Sequence, residues 1–354
     1  MKFLPTGEQQ AFTRSLDALL TAADTPSVAR AWAAGDPAPG RALWTRLGGA
    51  GVFALAVPEL YDGLGQRPVE LALAFVELGR HALPGPLVET AATAVLLAGL
   101  GDPAPAKRLL PGIASGEVAA TLRIAGSDPF VLDGDAAELV LVADLGEHET
   151  AARLRLASGP HGPARASTDP ARRLTEAPVG GEILAAGPDV ARAARAAESW
   201  ARLATAAQSL GVGLALLDRT VAYAGQRTQF GVAIGSFQAV KHRLADTLIA
   251  LEFARPLLFG AALTMTPADI AAAKVAAGEA AYAAARTALQ VHGAVGYTEE
   301  LDLSWWLRKA RPLRDAWGTP SQCRAAVLSG RPSPGRSDPA PGGDLGPGTD
   351  RAAG

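Results

Sequence analysis

Arg227-Thr-Gln-Phe-Gly231 ends a long apolar stretch over 190–226 and leads to Phe237-Gln238 at the start of the next one. Further along, Gln290-Val-His-Gly293-Ala-Val-Gly296-Tyr-Thr298 ends another apolar stretch. A guanidinium group matches phosphate oxygens, and glycine turns permit close approach of the backbone to a ligand. Two such turns, each following a helix, are typical of a dinucleotide site that needs no Rossmann strand.

The C-terminal part of the chain has the pattern of a helical bundle. Ala-, Leu- and Arg-rich stretches cover 190–226, 236–260 and 267–291, each long enough to form one side of a bundle. Gly211-Val-Gly213 lies inside the first stretch and has no strand before it, so we do not read it as a dinucleotide fingerprint.

Helical periodicity also dominates the beginning of the chain, whereas the middle has a different character. Pro68 to Gly79 has proline at a helix start and glycine at its end. Glu138–Val142 and Arg153–Leu156 are short β-type runs among frequent Gly and Pro. We therefore predict an α+β chain with four parts: a helical domain over 1–115, a reduced β domain over 116–188, a helical bundle over 189–330 and a disordered tail over 331–354.

Composition excludes several classes of function. With a net charge of −2 over 354 residues, the chain gives no reason to expect a nucleic-acid partner or an anionic membrane surface. The single Cys323 has no disulfide partner, and the spacing of His242 and His292 does not suggest a metal site. No signal peptide is visible, and charged residues interrupt the apolar helices, so we expect a cytoplasmic protein without membrane spans.

The two stretches and the α-β-α order resemble the acyl-CoA dehydrogenases, which are FAD enzymes, and the resemblance covers roughly residues 5 to 328. It implies an N-terminal all-α domain, a small central β domain and a C-terminal four-helix bundle. It also implies that Arg227 contacts the FAD pyrophosphate and that Phe230 packs beside the flavin. The further cofactor-binding residues that it implies are Gln238 near the adenine, Thr319 on the FAD, and the turn Gln290, Gly293 and Gly296.

In the family, a neighbouring subunit lays the turn over 290–296 on the pyrophosphate, so the resemblance implies that one FAD needs two chains. Each segment also has an ordinary structural interpretation. Arg227 suits a helix C-terminus, which favours cations, and the glycines suit a helix-ending turn. Their occurrence together and in order favours the family interpretation.

The catalytic base of the family is missing at both of its usual positions. The base is a carboxylate that takes the α-proton of an acyl-CoA thioester, and desolvation raises its pKa. The usual glutamate corresponds to Trp317, and the alternative position, before Arg202, is Ala201. Two weak candidates remain nearby, namely Glu198 and Asp315. The catalytic residue is therefore unknown at this stage.

The central domain also departs from the family. Thr121-Leu-Arg-Ile-Ala-Gly-Ser-Asp128 keeps part of a family segment, in which Thr121 and Ser127 would reach flavin and substrate, but a structural turn is the simpler interpretation. Between Asp128 and Glu138 the chain is too short for the hairpin that faces the flavin in the family. The resemblance places Arg202 and Ser127 near the substrate.

Three functions remain open. The first is a hetero-oligomeric acyl-CoA dehydrogenase of the type that acts on bulky steroid side chains, in which a second dehydrogenase-like chain supplies the base. The second is a self-sufficient homo-oligomer that uses Glu198, Asp315 or another carboxylate. The third is a scaffold subunit that binds no FAD and catalyses nothing.

Overall fold

The computed structural model describes residues 4–124, 129–165 and 167–330. The predicted tail over 331–354 and Ser127 lie outside the described residues. The fold has three parts in chain order, a helical part, a small sheet region and a second helical part, which is the predicted α+β architecture.

The first helical part packs short helices around a shared apolar core. The Thr6 side chain and Gln9 form a capping box at the first helix, and Pro68 begins the fourth helix, where a missing N–H costs nothing. Leu71 and Leu78 are fully buried at its centre. The helices are α1 (Gly7–Thr21), α2 (Thr25–Ala33), α3 (Ala38–Gly49), α4 (Pro68–Arg80), α5 (Leu87–Ala98) and α6 (Ala104–Ala114).

The central part contains two small sheets. A four-stranded sheet has the order β1-β3-β4-β6, in which only the β1–β3 pair is parallel, and β2 pairs with β5 in a separate ladder. Both predicted strands are present, as β3 and β4. Residues 129–138 contain only β2 and a turn. The strands are β1 (Ala120–Ile124), β2 (Phe130–Leu132), β3 (Leu139–Asp144), β4 (Arg153–Ser158), β5 (Leu174–Glu176) and β6 (Gly180–Ala186).

The second helical part is a bundle around a long central helix, and the three predicted long helices are confirmed within a few residues. Its helices are α7 (Pro188–Gln226), α8 (Gln238–Thr264), α9 (Pro267–His292), α10 (Leu303–Asp315) and α11 (Pro320–Ser329). Between α7 and α8 lies a small hairpin of two-residue strands, β7 (Thr228–Gln229) and β8 (Val232–Ala233). Helix α7 packs against α4, α5, α8, α9 and α10, so it joins the two helical parts.

Glycines allow α4 and α7 to cross at short range. A Cβ atom on Gly79 would stand 2.1 Å from the Gln208 carbonyl oxygen, and one on Gly211 would stand 1.9 Å from the Val76 carbonyl oxygen. On the other side of α7, a Cβ on Gly213 would meet the Leu251 side chain at 2.5 Å. The Gly-Val-Gly sequence therefore serves helix packing.

Helix α8 carries an exposed apolar face. Its large exposed side chains are Leu248, Ile249, Phe253, Leu257 and Leu263. By length and composition alone α8 is apolar enough to cross a membrane, contrary to our expectation that charged residues would exclude every helix, although it packs against α9 and α7. An uncovered apolar face of this size is typical of a surface that contacts another protein.

Candidate functional site

The segment after α7 forms a tight hairpin that presents Phe230 to solvent. Strands β7 and β8 pair antiparallel, and the two residues between them, Phe230 and Gly231, have φ angles of 53° and 80°. Positive φ at both positions is the requirement of a type I′ turn. Phe230 is 92% exposed and contacts Phe237 edge-to-face at 6.3 Å.

Arg227 lies at the C-terminal cap of α7 with its side chain exposed. Its backbone N–H donates to the Tyr223 carbonyl oxygen at 2.9 Å, and its own carbonyl oxygen accepts from Ile234 at 2.8 Å. No ion pair or side-chain hydrogen bond engages its guanidinium group among the described residues. The guanidinium group is therefore available to an anion.

The second glycine turn begins at the end of α9. Gly293 caps this helix with φ of 63°, and apart from its chain neighbours no atom of the described residues lies within 4 Å of a Cβ built there. Gly296 is buried against His292, and Gln290 and the neighbouring Tyr297 are exposed. A ligand can thus approach the backbone at Gly293 without a side chain in between.

The two cofactor segments lie side by side in one chain. The Tyr223 ring stacks on the His292 ring with centroids 4.1 Å apart. Tyr223 is one turn before Arg227, and His292 directly precedes Gly293. His292 is buried, and its Nδ1 lies 2.8 Å from the Ala288 carbonyl oxygen, which fits the packing role expected for it. A single chain therefore presents both segments at one end of its bundle. That a neighbouring subunit supplies one of the two segments to each FAD stays a prediction.

The loop between α10 and α11 holds the residue at the expected position of the base. Trp317 has a φ of 57°, a strained conformation for a residue with a large side chain. Arg202 Nε donates to the Trp317 carbonyl oxygen at 2.8 Å, and the Arg202 guanidinium also pairs with Glu198. Arg202 therefore fixes the loop backbone rather than extending toward solvent.

Thr319 caps a helix in this structure. Its hydroxyl oxygen accepts a hydrogen bond from the Gln322 backbone N–H at 3.3 Å, and the Gln322 side chain completes a capping box.

Two further residues named from the sequence lie in different surroundings. Gln238 is exposed in the first turn of α8. Thr121 lies in β1, fully buried and paired with Val140, and not in the turn that its sequence suggested.

A buried carboxylate, Glu89, meets Trp317. The Trp317 Nε1–H donates to Glu89 Oε1 at 3.0 Å, whereas Glu89 Oε2 is buried and has no hydrogen-bond partner among the described residues. Burial raises the pKa of the Glu89 carboxyl, with nearby Arg172 opposing this rise. Sequence reasoning missed this residue, although it is the only charged side chain in the apolar helix α5.

Glu89 belongs to a polar cavity where all three parts of the fold meet. Asp133, from the turn after β2, is also fully buried, and burial raises its pKa to about 7. Lys309 Nζ on α10 pairs with Asp169 at 2.8 Å, and both side chains are buried. The cavity that these residues line measures about 20 Å³, which is room for one water molecule.

The two carboxylates proposed from the sequence, Glu198 and Asp315, are less suited than Glu89 to act as the catalytic base. Glu198 is tied to Arg202, and its side chain is 39% exposed. Asp315 is exposed at the end of α10. Neither is desolvated, as a carboxylate base of this kind must be.

Comparison with known proteins agrees with this architecture. Residues 6–117 match the N-terminal domain of acyl-CoA dehydrogenases, and residues 185–326 match the C-terminal domain. The acyl-CoA dehydrogenase IpdE2 of Mycobacterium tuberculosis is 33% identical over 309 residues, which span 86% of this chain and 92% of that protein. The chain belongs to the acyl-CoA dehydrogenase family.

Solved structures of acyl-CoA dehydrogenases have the same fold. The ChsE4-ChsE5 complex from Mycobacterium tuberculosis superposes with a TM-score of 0.80 at 26% identity, covering 94% of this chain and 100% of that one. The glutaryl-coenzyme A dehydrogenase complex with glutaryl-CoA superposes with a TM-score of 0.81 at 20% identity, covering 93% and 96%. At position 317, where the resemblance implies the catalytic glutamate, this chain has a tryptophan.

Proposed function

We propose that this chain is one subunit of an FAD-dependent hetero-oligomeric acyl-CoA dehydrogenase, which introduces an α,β double bond into an acyl-CoA thioester. The substrate that we propose carries a bulky steroid-type acyl chain. The partner is a second dehydrogenase-like chain, and it supplies the base. Two similarities support this assembly, namely that to IpdE2 and that to the ChsE4-ChsE5 complex, whose name records two different chains.

One contrast carries the proposal. The segments around Arg227 and Gly293 are free to receive a ligand, whereas Trp317 occupies the position of the base and is held there by Glu89 and Arg202. A chain with residues suited to contact the cofactor but without the base can contribute to an active site that it shares with a second chain.

The exposed groups of this chain fit the FAD pyrophosphate. The Arg227 guanidinium group would pair with phosphate oxygens, and the open backbone at Gly293 would approach them closely. Phe230 would pack beside the flavin, while Gln238, Gln290, Gly296 and Thr319 would complete the contacts. When bound, FAD supplies the acceptor for the hydride that leaves the β-carbon of the thioester.

The test is to purify the chain alone and together with an adjacent dehydrogenase-like gene product. We expect flavin absorbance and desaturation of an acyl-CoA in the co-purified complex, with negligible turnover by the chain alone. Full turnover by the chain alone would overturn the requirement for a partner. Colourless preparations in both cases would leave only the scaffold function.

Glu89 favours a second candidate, a self-sufficient homo-oligomeric enzyme. A desolvated carboxylate with one unpaired oxygen, next to the usual position of the base, has the character of a proton acceptor. On this alternative, Glu89→Gln lowers turnover of the lone chain about 10²–10⁴-fold. The changes Glu198→Gln and Asp315→Asn serve as matched controls and should leave turnover within a few-fold of wild type.

A further inference from the structure

A cluster of metal-binding residue types lies at the junction of α1 and α4, away from the segments that carry Trp317 and Arg227. His81 follows the last turn of α4, Glu77 lies one turn earlier on the same helix, and Asp17 comes from α1. His81 Nε2 is 2.8 Å from Asp17 Oδ1. One ligand atom from each of the three residues lies within 4.8 Å of the other two.

Glu77 lacks adequate compensation for its charge. It is 8% exposed, and its carboxylate accepts no hydrogen bond from any described residue. The nearest cation, Arg80 Nε, stands 3.6 Å away, while Arg80 Nη2 donates instead to Asp218 on α7 at 2.9 Å. Burial raises the pKa of Glu77 to about 7; Arg80 and the more distant Arg255 on α8 oppose this rise, and Asp17 adds to it. The Glu77 carboxylate is therefore buried near that of Asp17, and the arginine nearest to it is shared with Asp218.

The donor set matches the chemistry of a zinc-type cation. An imidazole nitrogen and two carboxylate oxygens are ligands of Zn²⁺, which binds them at roughly 2.0–2.2 Å. Calcium and magnesium prefer oxygen ligands alone, so the histidine favours a late first-row transition metal. The Asp17 side chain is half-exposed, so a water molecule can reach the cluster and take a fourth ligand position.

We propose that Asp17, Glu77 and His81 bind one divalent transition-metal cation of the zinc type, which fastens α1 to the end of α4. Two of the ligands, at i and i+4 on one helix, point to the same side, and the third comes from a neighbouring helix. The cation supplies the positive charge that Glu77 lacks.

The binding test uses the full-length chain after chelator treatment and dialysis. Zn²⁺ is titrated by calorimetry, and Co²⁺ is titrated while its visible absorption is recorded. We expect one cation per chain and a Co²⁺ spectrum of low coordination number. His81→Gln should weaken binding at least tenfold, whereas His148→Gln, at an exposed histidine elsewhere, should not change it. Absence of binding, or equal loss in both variants, overturns the proposal.

A stability measurement separates this role from simple packing. Glu77→Gln removes a buried charge, so it should raise the midpoint of thermal unfolding of the metal-free chain at pH 8. The same change should abolish the rise in midpoint that Zn²⁺ produces in the wild type. A lower midpoint together with an undiminished response to Zn²⁺ would show that Glu77 is structural and not a ligand. Neither readout depends on flavin or on turnover, so the result is independent of the proposed dehydrogenase activity.

Discussion

Single buried acids determine how this protein should respond to pH. Asp133 accepts hydrogen bonds at Oδ1 from Trp32 Nε1 at 3.0 Å and from the Arg173 backbone N–H at 3.2 Å, while its Oδ2 is buried and no described residue pairs with it. Burial is the main reason that its pKa rises to about 7, and the Glu89 charge adds to the rise. The folded chain therefore holds a proton at Asp133 that the unfolded chain releases at lower pH.

Asp133→Asn should flatten the pH dependence of stability. Because the folded pKa lies above the unfolded one, the wild type is most stable below the unfolded pKa and loses stability as pH rises toward 7. Each unit of pKa difference corresponds to about 1.4 kcal/mol, so the total loss is of the order of a few kcal/mol. Denaturant unfolding at pH 5 and pH 8 measures it. The exposed Asp315→Asn should retain the wild-type slope, and an equal slope in Asp133→Asn would contradict the prediction.

Arg227→Lys should weaken flavin retention by the co-purified complex about tenfold or more. Lysine keeps the charge but loses the two-pronged match to phosphate oxygens. The measurement is flavin released on dilution, read by fluorescence. Arg153→Lys, at an exposed arginine of β4, is the matched control and should bind flavin as the wild type does. Unchanged retention in Arg227→Lys would remove this arginine from the proposed cofactor site.

Where α4 and α7 cross, the helices are too close to accept a side chain larger than glycine. Gly211 and Gly79 put backbone against backbone, so a methyl group at either position has no space. Gly225 lies in the same helix, α7, but nothing stands within 4 Å of a Cβ built there. Gly211 and Gly225, both on α7, therefore differ in the space available for a side chain, and packing against α4 explains the difference.

Gly211→Ala should destabilise the chain by about 1–3 kcal/mol, because the added methyl group forces the helices apart. Gly225→Ala should be neutral or stabilise by roughly 0.5–1 kcal/mol, because alanine favours the helix. The free energy of unfolding in denaturant compares the two variants. Equal effects would show that the close crossing does not control stability.

Phe253→Glu should prevent assembly with a partner chain. Phe253 is 72% exposed at the centre of the apolar face of α8, and a charge there would have to be desolvated in an interface. Size-exclusion chromatography of the co-expressed proteins measures assembly. Ile183→Glu, at an exposed apolar residue of β6, is the control and should assemble normally. Normal assembly of Phe253→Glu would exclude this face as the interface.

The long elements could be predicted from the sequence because their periodicity and end signals are local. Helices α7, α8 and α9 and strands β3 and β4 appear where the pattern indicates them. The meeting of Glu89 with Trp317 could not be predicted, since 228 residues separate them and only the packing of α5 beneath the α10–α11 loop brings them together. The same limit concealed the stack of Tyr223 on His292, which joins the ends of two different helices.

At the scale of the whole molecule, the three parts of the fold are joined by buried polar contacts as well as by apolar packing. Lys309 on α10 pairs with Asp169 in the segment before β5, and Trp306 Nε1 donates to the Arg80 carbonyl oxygen at 2.7 Å. Trp32 on α2 reaches Asp133 in the central part. These contacts fix the small sheets against both helical parts.

Lys309→Met should cost about 3–5 kcal/mol, because it leaves the Asp169 charge buried without a partner. Combining it with Asp169→Leu should recover much of the loss, since apolar pairs often replace buried ion pairs without penalty. Equilibrium unfolding of the single and double variants gives the coupling. Lys107→Met, at an exposed lysine of α6, provides the control. If the effects of the two substitutions on the free energy of unfolding are strictly additive, Lys309 and Asp169 do not interact directly.

The contact of Tyr223 with His292 has a consequence for how such proteins diverge. By holding the end of α7 against the turn after α9, it keeps the proposed cofactor contacts around Arg227 and Gly293 within one compact edge. Mutations in the distant α10–α11 loop can then erase a chain's own reactivity and leave that edge intact. After gene duplication, one copy can lose its catalytic base while natural selection preserves its contribution to the cofactor site of the other copy.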